Sequence, residues 1–184
     1  RNFREGVFEG AASINWPSYE KEIFSGRRTC FSCSIRCKRE VRVTGRHALN
    51  SAYGGPEYET LDGFGGNCGI DDLAGIAKAN ELCNRYVIDT ISTSATIAFA
   101  MECYERGLIG TADTGGIELR FGNLDATLRM IELIARREGF GALLAEGSRR
   151  AAEVIGGEAP GFAMHVKGEE LPMHDPRGKV GVGL

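Results

Sequence analysis

The sequence contains no apolar run long enough to cross a membrane. Its longest run, near residues 96–101, is far shorter than the roughly 20 residues that a spanning helix requires. The first residues, from Arg1 to Glu5, are charged and lack the apolar segment of a secretory signal peptide. We therefore expect a cytoplasmic protein that does not bind membranes.

The sequence also lacks a strong charge of either sign. The formal net charge is −3 over 184 residues, and acidic and basic residues alternate rather than form blocks. This balance argues against nucleic-acid binding, which depends on clustered basic residues. Apolar residues make up 42% of the chain, which is enough for a hydrophobic core.

A dinucleotide-binding fingerprint is missing as well. The Gly-rich stretch at residues 63–69 follows no strand and does not fit the required glycine spacing, so we expect it to be a flexible loop. The chain starts without Met, and neither end completes a structural element. We therefore expect an excised piece of a longer protein.

Three cysteines, by contrast, lie close together: Cys30, Cys33 and Cys37, at C-x₂-C-x₃-C spacing. This spacing brings three thiolates to one point, as an iron–sulfur cluster requires. A structural zinc site would need a fourth ligand at a partnered spacing, and the sequence shows none. A [4Fe-4S] cluster is favoured because its fourth ligand can lie far away in the sequence. Zinc and unligated structural thiols remain the alternatives.

Hydrophobic periodicity predicts a mainly helical protein of the all-α class. Apolar residues recur at three- and four-residue steps in four segments, and polar and apolar residues alternate in two short segments. The helices are predicted at residues 71–86, 95–106, 123–138 and 142–155, and the strands at 39–44 and 162–168. We expect one helical domain over residues 1–158 and the start of a further domain over residues 159–184.

Two groups of residues are candidates for acid–base chemistry. Glu57 and Glu59 follow a Gly-Gly-Pro turn and are either a surface acidic pair or a catalytic pair. His165 and Lys167 occupy alternate positions of a predicted strand, which places a titratable base beside a cation, although any strand can produce such a pair. The hydroxyl run that begins at Thr90 either caps a helix or holds an anion.

Six segments, taken in order, resemble the tungsten-dependent aldehyde ferredoxin oxidoreductase family over nearly the whole chain. They are Cys30-x-x-Cys33-x-x-x-Cys37, Gly55-Pro56-Glu57-Tyr58-Glu59-Thr60, Asn67-Cys68-Gly69-Ile70, Ala79-Asn80-Glu81-Leu82-Cys83-Asn84, Asp89-Thr90-Ile91-Ser92 and His165-Val166-Lys167-Gly168. No single segment is specific, but six in the right order are.

The resemblance implies an enzyme that oxidises aldehydes to carboxylic acids and passes the electrons through a [4Fe-4S] cluster to ferredoxin. Its oxidising centre is tungsten, or sometimes molybdenum, held by two pterins. The chain resembles the helical second domain and the start of the third. Members are often homodimers, although no feature of this sequence requires a dimer. We expect the isolated fragment to be inactive, and either cofactor can be absent from it.

The resemblance also implies roles for particular residues. Cys30, Cys33 and Cys37 match three of the four cluster ligands, and the fourth lies beyond residue 184. His165 matches a histidine beside the metal, Lys167 a pterin-phosphate contact, and Thr90 a contact on the pterin side. An acidic residue near the metal lies in the Pro-Glu-Tyr-Glu segment and is either Glu57 or Glu59.

One motif departs from the family pattern. Members carry Asp-x-x-Gly-Leu-Asp, whose carboxylates bind pterin amino groups, whereas this chain has Asn84-Arg85-Tyr86-Val87-Ile88-Asp89. Asp89 is kept, but Asn84 can accept a hydrogen bond only without charge assistance. Val87 replaces the glycine, which removes an easy left-handed helix cap. The departure therefore bears on the affinity for pterin and on the type of pterin that is bound.

Two rival functions remain. The first keeps the fold within a complex that reduces carboxylates or aromatic acyl-CoA thioesters. The second is a non-catalytic electron-transfer module, in which His165, Lys167 and the two glutamates would be scattered in space.

Overall fold

The computed structural model describes residues 1–175 and 177–178. Helices predominate, but two small antiparallel sheets of two strands each make the fold mixed rather than all-α. The α-helices are α1 Ala11–Ile14, α2 Trp16–Glu22, α3 Tyr58–Asp62, α4 Leu73–Tyr86, α5 Thr90–Glu105, α6 Leu124–Arg136, α7 Phe140–Leu144 and α8 Ser148–Ile155. The strands are β1 Phe24–Arg28, β2 Lys38–Val41, β3 His165–Val166 and β4 Glu169–Glu170. In this part of the chain no helix combines the length and apolar character of a membrane span.

Helix α5 lies at the centre of the core. Its residues from Ser92 to Met101 are apolar or small on every side, and Ile97, Phe99 and Met101 are fully buried. A helix with this composition must be covered all round by other elements. Helices α4 and α6 pack together beside it, and Gly75 in α4 lies where a Cβ would collide with Leu124 of α6.

Side-chain caps fix where the three long helices begin. Asp72, Asp89 and Asn123 accept hydrogen bonds from backbone N–H groups three residues on, over 2.9, 2.6 and 3.1 Å. The helices predicted at residues 71–86 and 123–138 are confirmed as α4 and α6. Helix α5 begins five residues earlier than predicted because Asp89, not the hydroxyl run, is its cap.

Two expectations about the helices were wrong. The predicted helix over residues 142–155 is divided into α7 and α8, because Gly147 between them has a φ of +86° that no helix allows. The Gly-rich stretch is not a flexible loop. Residues Gly63–Asn67 form a buried π-helical turn, in which a Cβ at Gly63 or Gly65 would collide with Ser94 or Ile14.

Each sheet is a hairpin. Strand β1 pairs antiparallel with β2, and Arg28 lies opposite Lys38, so residues 29–37 form the connecting loop. Strand β3 pairs with β4 through a turn in which Lys167 and Gly168 both have positive φ, at +56° and +101°. Lys167 therefore lies in the turn. The strand alternation that would place it beside His165 ends at Val166.

Candidate functional site

The β1–β2 loop carries the three clustered cysteines on the surface. Cys30 and Cys37 are exposed, Cys33 is half-buried, and all three are free of disulfide bonds. The hydroxyl of Thr29 donates to the carbonyl of Cys30 over 2.9 Å and also to that of Cys33. Two loop residues, Ser32 and Arg36, adopt left-handed backbone conformations, with φ near +55°.

The chemistry of this loop suits an iron–sulfur cluster, although the thiols are not gathered as ligands. The described residues contain no group of three or more His, Cys, Asp or Glu side chains placed to hold a metal ion. The three thiols on this loop are nevertheless of the type that such a cluster takes as ligands, and supply three of its four. The basic residues Arg27, Arg28, Arg36 and Lys38 lie in or beside the loop, and Arg28 forms an ion pair with Glu40.

The two candidate glutamates point to different partners. Glu57 precedes α3, is 51% exposed and pairs with Arg39 at 3.4 Å. Glu59, the second residue of α3, is 23% exposed. Its Oε2 accepts a hydrogen bond from the backbone N–H of Met173 over 2.7 Å, and its Oε1 contacts Nδ1 of His174. The two carboxylates therefore do not act as one pair.

A cavity of about 280 Å³ is lined by Met173 and His174, the two residues that Glu59 contacts, although Glu59 is not itself one of its lining residues. Tyr58, Asp62, Asn67 and His174 contribute to its lining. Burial is the main reason why the pKa values of Tyr58 and Asp62 are raised. The charge and hydrogen bond of Asp62 raise the pKa of Tyr58 further, whereas the hydrogen bond from Tyr58 lowers the pKa of Asp62. The Nδ2 of Asn67 is buried and has no hydrogen-bond partner among the described residues.

Sequence reasoning missed three residues of this cavity: Tyr58, Asp62 and His174. Tyr58 stands between the two glutamates, and its hydroxyl lies 3.2 Å from the carbonyl of Met173 and 3.4 Å from Asp62. A tyrosine between two acids was a usable local signal. No local pattern marks His174, because its partner Glu59 lies 115 positions away in the sequence.

Residues 84–89, which depart from the family pattern, keep a regular helix end at α4 and a regular helix start at α5. Asn84 is exposed and donates to the carbonyl of Asn80 over 2.8 Å, and Asp89 is committed to capping α5. Val87 adopts the left-handed conformation that the missing glycine would have taken, with φ +57°. The expectation that losing glycine removes this cap was wrong, since the N–H of Ile88 still reaches the carbonyl of Cys83 over 3.0 Å.

His165 and Lys167 lie apart from the glutamates in the hydrogen-bond network. Nδ1 of His165 accepts a hydrogen bond from the N–H of Gly168 over 3.2 Å, within its own hairpin. Lys167 is exposed. No hydrogen bond or ion pair of the described residues joins either of them to Glu57 or Glu59.

The remaining cysteines are part of the core. Cys68, Cys83 and Cys103 are buried, and burial raises the pKa of each thiol to about 12. They therefore stay protonated at neutral pH and behave as small apolar residues.

Comparison with known proteins matches the whole chain to one family. The family model described as "Aldehyde ferredoxin oxidoreductase, domains 2 & 3" matches residues 1–184. Tungsten-containing aldehyde ferredoxin oxidoreductases from Pyrococcus abyssi and Thermococcus kodakarensis are 44% and 41% identical over all of this chain. The chain spans 30% of the length of each of these relatives.

Two further matches are more distant. The aliphatic sulfonate oxidoreductase WOR-like subunit of Pyrococcus furiosus is 31% identical over 82% of this chain and 24% of its own length. The solved active-site complex BamBC of benzoyl coenzyme A reductase covers 84% of this chain and 23% of its own, with a TM-score of 0.71 and 24% identity. At that identity the likeness shows the fold alone.

Proposed function

Because this chain belongs to the aldehyde ferredoxin oxidoreductase family, we propose that the whole protein oxidises aldehydes to carboxylic acids at a tungsten bis-pterin centre. The observation that carries this proposal is the arrangement around Glu59. Its carboxylate is anchored at both oxygens by Met173 and His174, which line the cavity, and it lies in a segment that the family resemblance places near the metal.

Glu59 rather than Glu57 is the proposed catalytic carboxylate. Hydroxylation of an aldehyde carbon releases a proton, and a general base must lie within hydrogen-bond reach of the group that loses it. Glu59 is the less exposed of the two and is held in one orientation, whereas Glu57 faces solvent beside Arg39. Pre-positioning of this kind lowers the cost of organising the site during the reaction.

Cys30, Cys33 and Cys37 are the proposed ligands of a [4Fe-4S] cluster. The cluster would carry single electrons from the oxidising centre to ferredoxin. Its fourth ligand would come from a part of the protein outside this chain. The thiols are accessible and unpaired by disulfides, so their chemistry supports this role.

Asn84, Asp89, Thr90 and Lys167 remain proposed pterin contacts. Asn84 and Asp89 are exposed at the end of α4 and the start of α5; Nδ2 of Asn84 and Oδ2 of Asp89 are used within the chain, so their Oδ1 atoms are the ones proposed to contact the pterin. His165 stays a predicted proton carrier, although its Nδ1 is occupied by its own hairpin. A cytoplasmic location, a homodimer and the domain boundary at residues 158–159 also stay predictions, and residues 176 and 179–184 lie outside the described part.

The test uses the whole protein, purified without oxygen and analysed for tungsten. We expect aldehyde-dependent reduction of ferredoxin or of a viologen dye. Glu59→Gln should lower kcat about 100-fold, because it removes the base. The matched control Glu57→Gln should change kcat less than about threefold, as expected for a surface ion pair. Tungsten-loaded protein without aldehyde oxidation, or equal effects of the two variants, would contradict the proposal.

Other substrates belong in the same assay. One relative is named an aliphatic sulfonate oxidoreductase subunit, and a structural neighbour belongs to a benzoyl coenzyme A reductase. A fold accommodates several chemistries, and the reaction is decided by the site. Activity with an acyl-CoA thioester and none with any aldehyde would favour the rival function.

A further inference from the structure

The loop at residues 171–175 contacts the first turn of α3 through hydrogen bonds and ring packing. The N–H of Met173 donates to Glu59 Oε2, while its carbonyl lies 3.2 Å from the hydroxyl of Tyr58. The ring of His174 packs against that of Tyr58, with centroids 4.8 Å apart and planes at 55°. These contacts fix the imidazole beside Glu59.

The contact between His174 and Glu59 determines where the imidazole proton lies. An ionised carboxylate can only accept hydrogen bonds, so Nδ1 of His174 must donate. The neutral ring then carries its proton on Nδ1, and the lone pair of Nε2 remains available at the cavity that His174 lines.

We propose that His174 is a positioning residue for Glu59, acting as an Nδ1–H donor that holds the carboxylate in place. With Met173 N–H on one oxygen and His174 on the other, the side chain of Glu59 has both of its oxygens engaged. Supporting hydrogen bonds of this kind orient a reactive group and restrict its rotation. The catalytic consequence rests on the proposed function, whereas the hydrogen bond itself does not.

His165 provides an internal control within the same chain. Its Nδ1 accepts a hydrogen bond from the N–H of Gly168, so its neutral ring must carry the proton on Nε2. The structure thus assigns opposite tautomers to His165 and His174. A measurement that separates the two ring nitrogens tests both assignments in one sample.

The first experiment records ¹⁵N NMR spectra of the histidine rings in the whole protein, at a pH where the imidazoles are neutral. Signals are assigned with His165→Asn and His174→Asn variants. We expect a protonated Nδ1 for His174 and a protonated Nε2 for His165. Glu59→Ala should change the His174 pattern and leave His165 unchanged, while Glu57→Ala should change neither.

An Nε2–H tautomer for His174 in the unaltered protein would overturn the proposal. An unchanged His174 pattern in Glu59→Ala would also overturn it. If Glu59→Ala fails to fold, which the His165 signal would reveal, the tautomer in the unaltered protein decides alone.

The second experiment measures steady-state kinetics with an aldehyde. His174→Ala should lower kcat about tenfold, in the range seen when a supporting hydrogen-bond partner is lost, with KM changed less than about twofold. His174→Asn should recover most of the rate, because the amide nitrogen takes the place of Nδ1. Equal losses in the two variants, or an unchanged rate in His174→Ala, would contradict the positioning role. If the protein oxidises no aldehyde, the proposed function fails, and the tautomer measurement still decides this inference.

Discussion

The hydroxyl of Thr60 donates a hydrogen bond to the hydroxyl of Thr90 over 2.9 Å, across 30 positions of the sequence. Thr60 lies in α3 next to Glu59, and Thr90 is the first residue of α5, next to Asp89. The contact therefore links the segment proposed to hold the catalytic carboxylate with the segment proposed to contact the pterin.

A double-mutant cycle should detect this link. Thr60 is only 4% exposed, so Thr90→Val leaves its hydroxyl without a partner. We expect each single valine substitution to lower the free energy of unfolding by about 1 kcal/mol. The double variant should lose less than the sum, because both partners are then apolar. Additive losses, measured by urea unfolding, would show that the two hydroxyls are not coupled.

Val87→Gly should stabilise the protein. A β-branched residue in the left-handed region carries a cost of about 1–2 kcal/mol that glycine avoids, so we expect a net gain of about 1 kcal/mol after the added flexibility of the unfolded chain. Arg137, with φ +54° at the end of α6, is the comparison site. Arg137→Gly should gain less, because it also removes an ion pair with Glu146. A loss of stability in Val87→Gly, measured as Tm, would contradict the assigned conformation.

The six cysteines should separate into two groups in an alkylation experiment. Cys30, Cys33 and Cys37 lie on a surface loop, whereas burial raises the pKa of Cys68, Cys83 and Cys103 to about 12. Thiolates react and protonated buried thiols do not. In native, metal-free protein, mass spectrometry should find iodoacetamide on the first group only. Denaturant should expose the second, and early labelling of any buried cysteine without denaturant would contradict the core packing.

Asp62→Asn should stabilise the protein at neutral pH. Burial raises the pKa of Asp62 above its ordinary value of 3.8, so the folded state binds this proton more tightly than the unfolded state. The contribution of Asp62 to the stability of the folded state is then greatest below pH 3.8, and it falls as the pH rises through the higher folded pKa. The Tm of Asp62→Asn should exceed that of the unaltered protein at pH 7, and the difference should shrink towards pH 4. A difference that grows on acidification would reverse the sign and contradict the burial effect.

Local sequence patterns predicted the helices that have both a capping residue and apolar periodicity in their own sequence. Asp72 and Asn123 stand directly before apolar periodicity, and both cap the helices that follow. The π-helical turn could not be recognised in this way. Gly63 and Gly65 must lack a side chain because Ser94 and Ile14 pack against them, and these contacts arise only in the tertiary structure.

The candidate site shows the same limit. Spacing alone could not separate Glu57 from Glu59, because their environments are set by Arg39 and His174 in other parts of the chain. The strand pattern around His165 was visible, but not the turn at Lys167, since a lysine with positive φ is uncommon. The valine at position 87 was recognised as a departure, yet its conformation follows from the hydrogen bonds that end α4.

The central claim is that electrons from an aldehyde reach a cluster held by the β1–β2 loop. Electron paramagnetic resonance of the whole protein, prepared without oxygen, tests this claim most directly. Adding aldehyde should produce the signal of a reduced [4Fe-4S] cluster. In Glu59→Gln, dithionite should produce the signal as fast as in the unaltered protein, whereas aldehyde should not. Protein in which Cys30, Cys33 and Cys37 are replaced by serine should give no signal with either reductant. An unchanged signal in that triple variant, or none from aldehyde in protein loaded with tungsten and iron, would contradict the account.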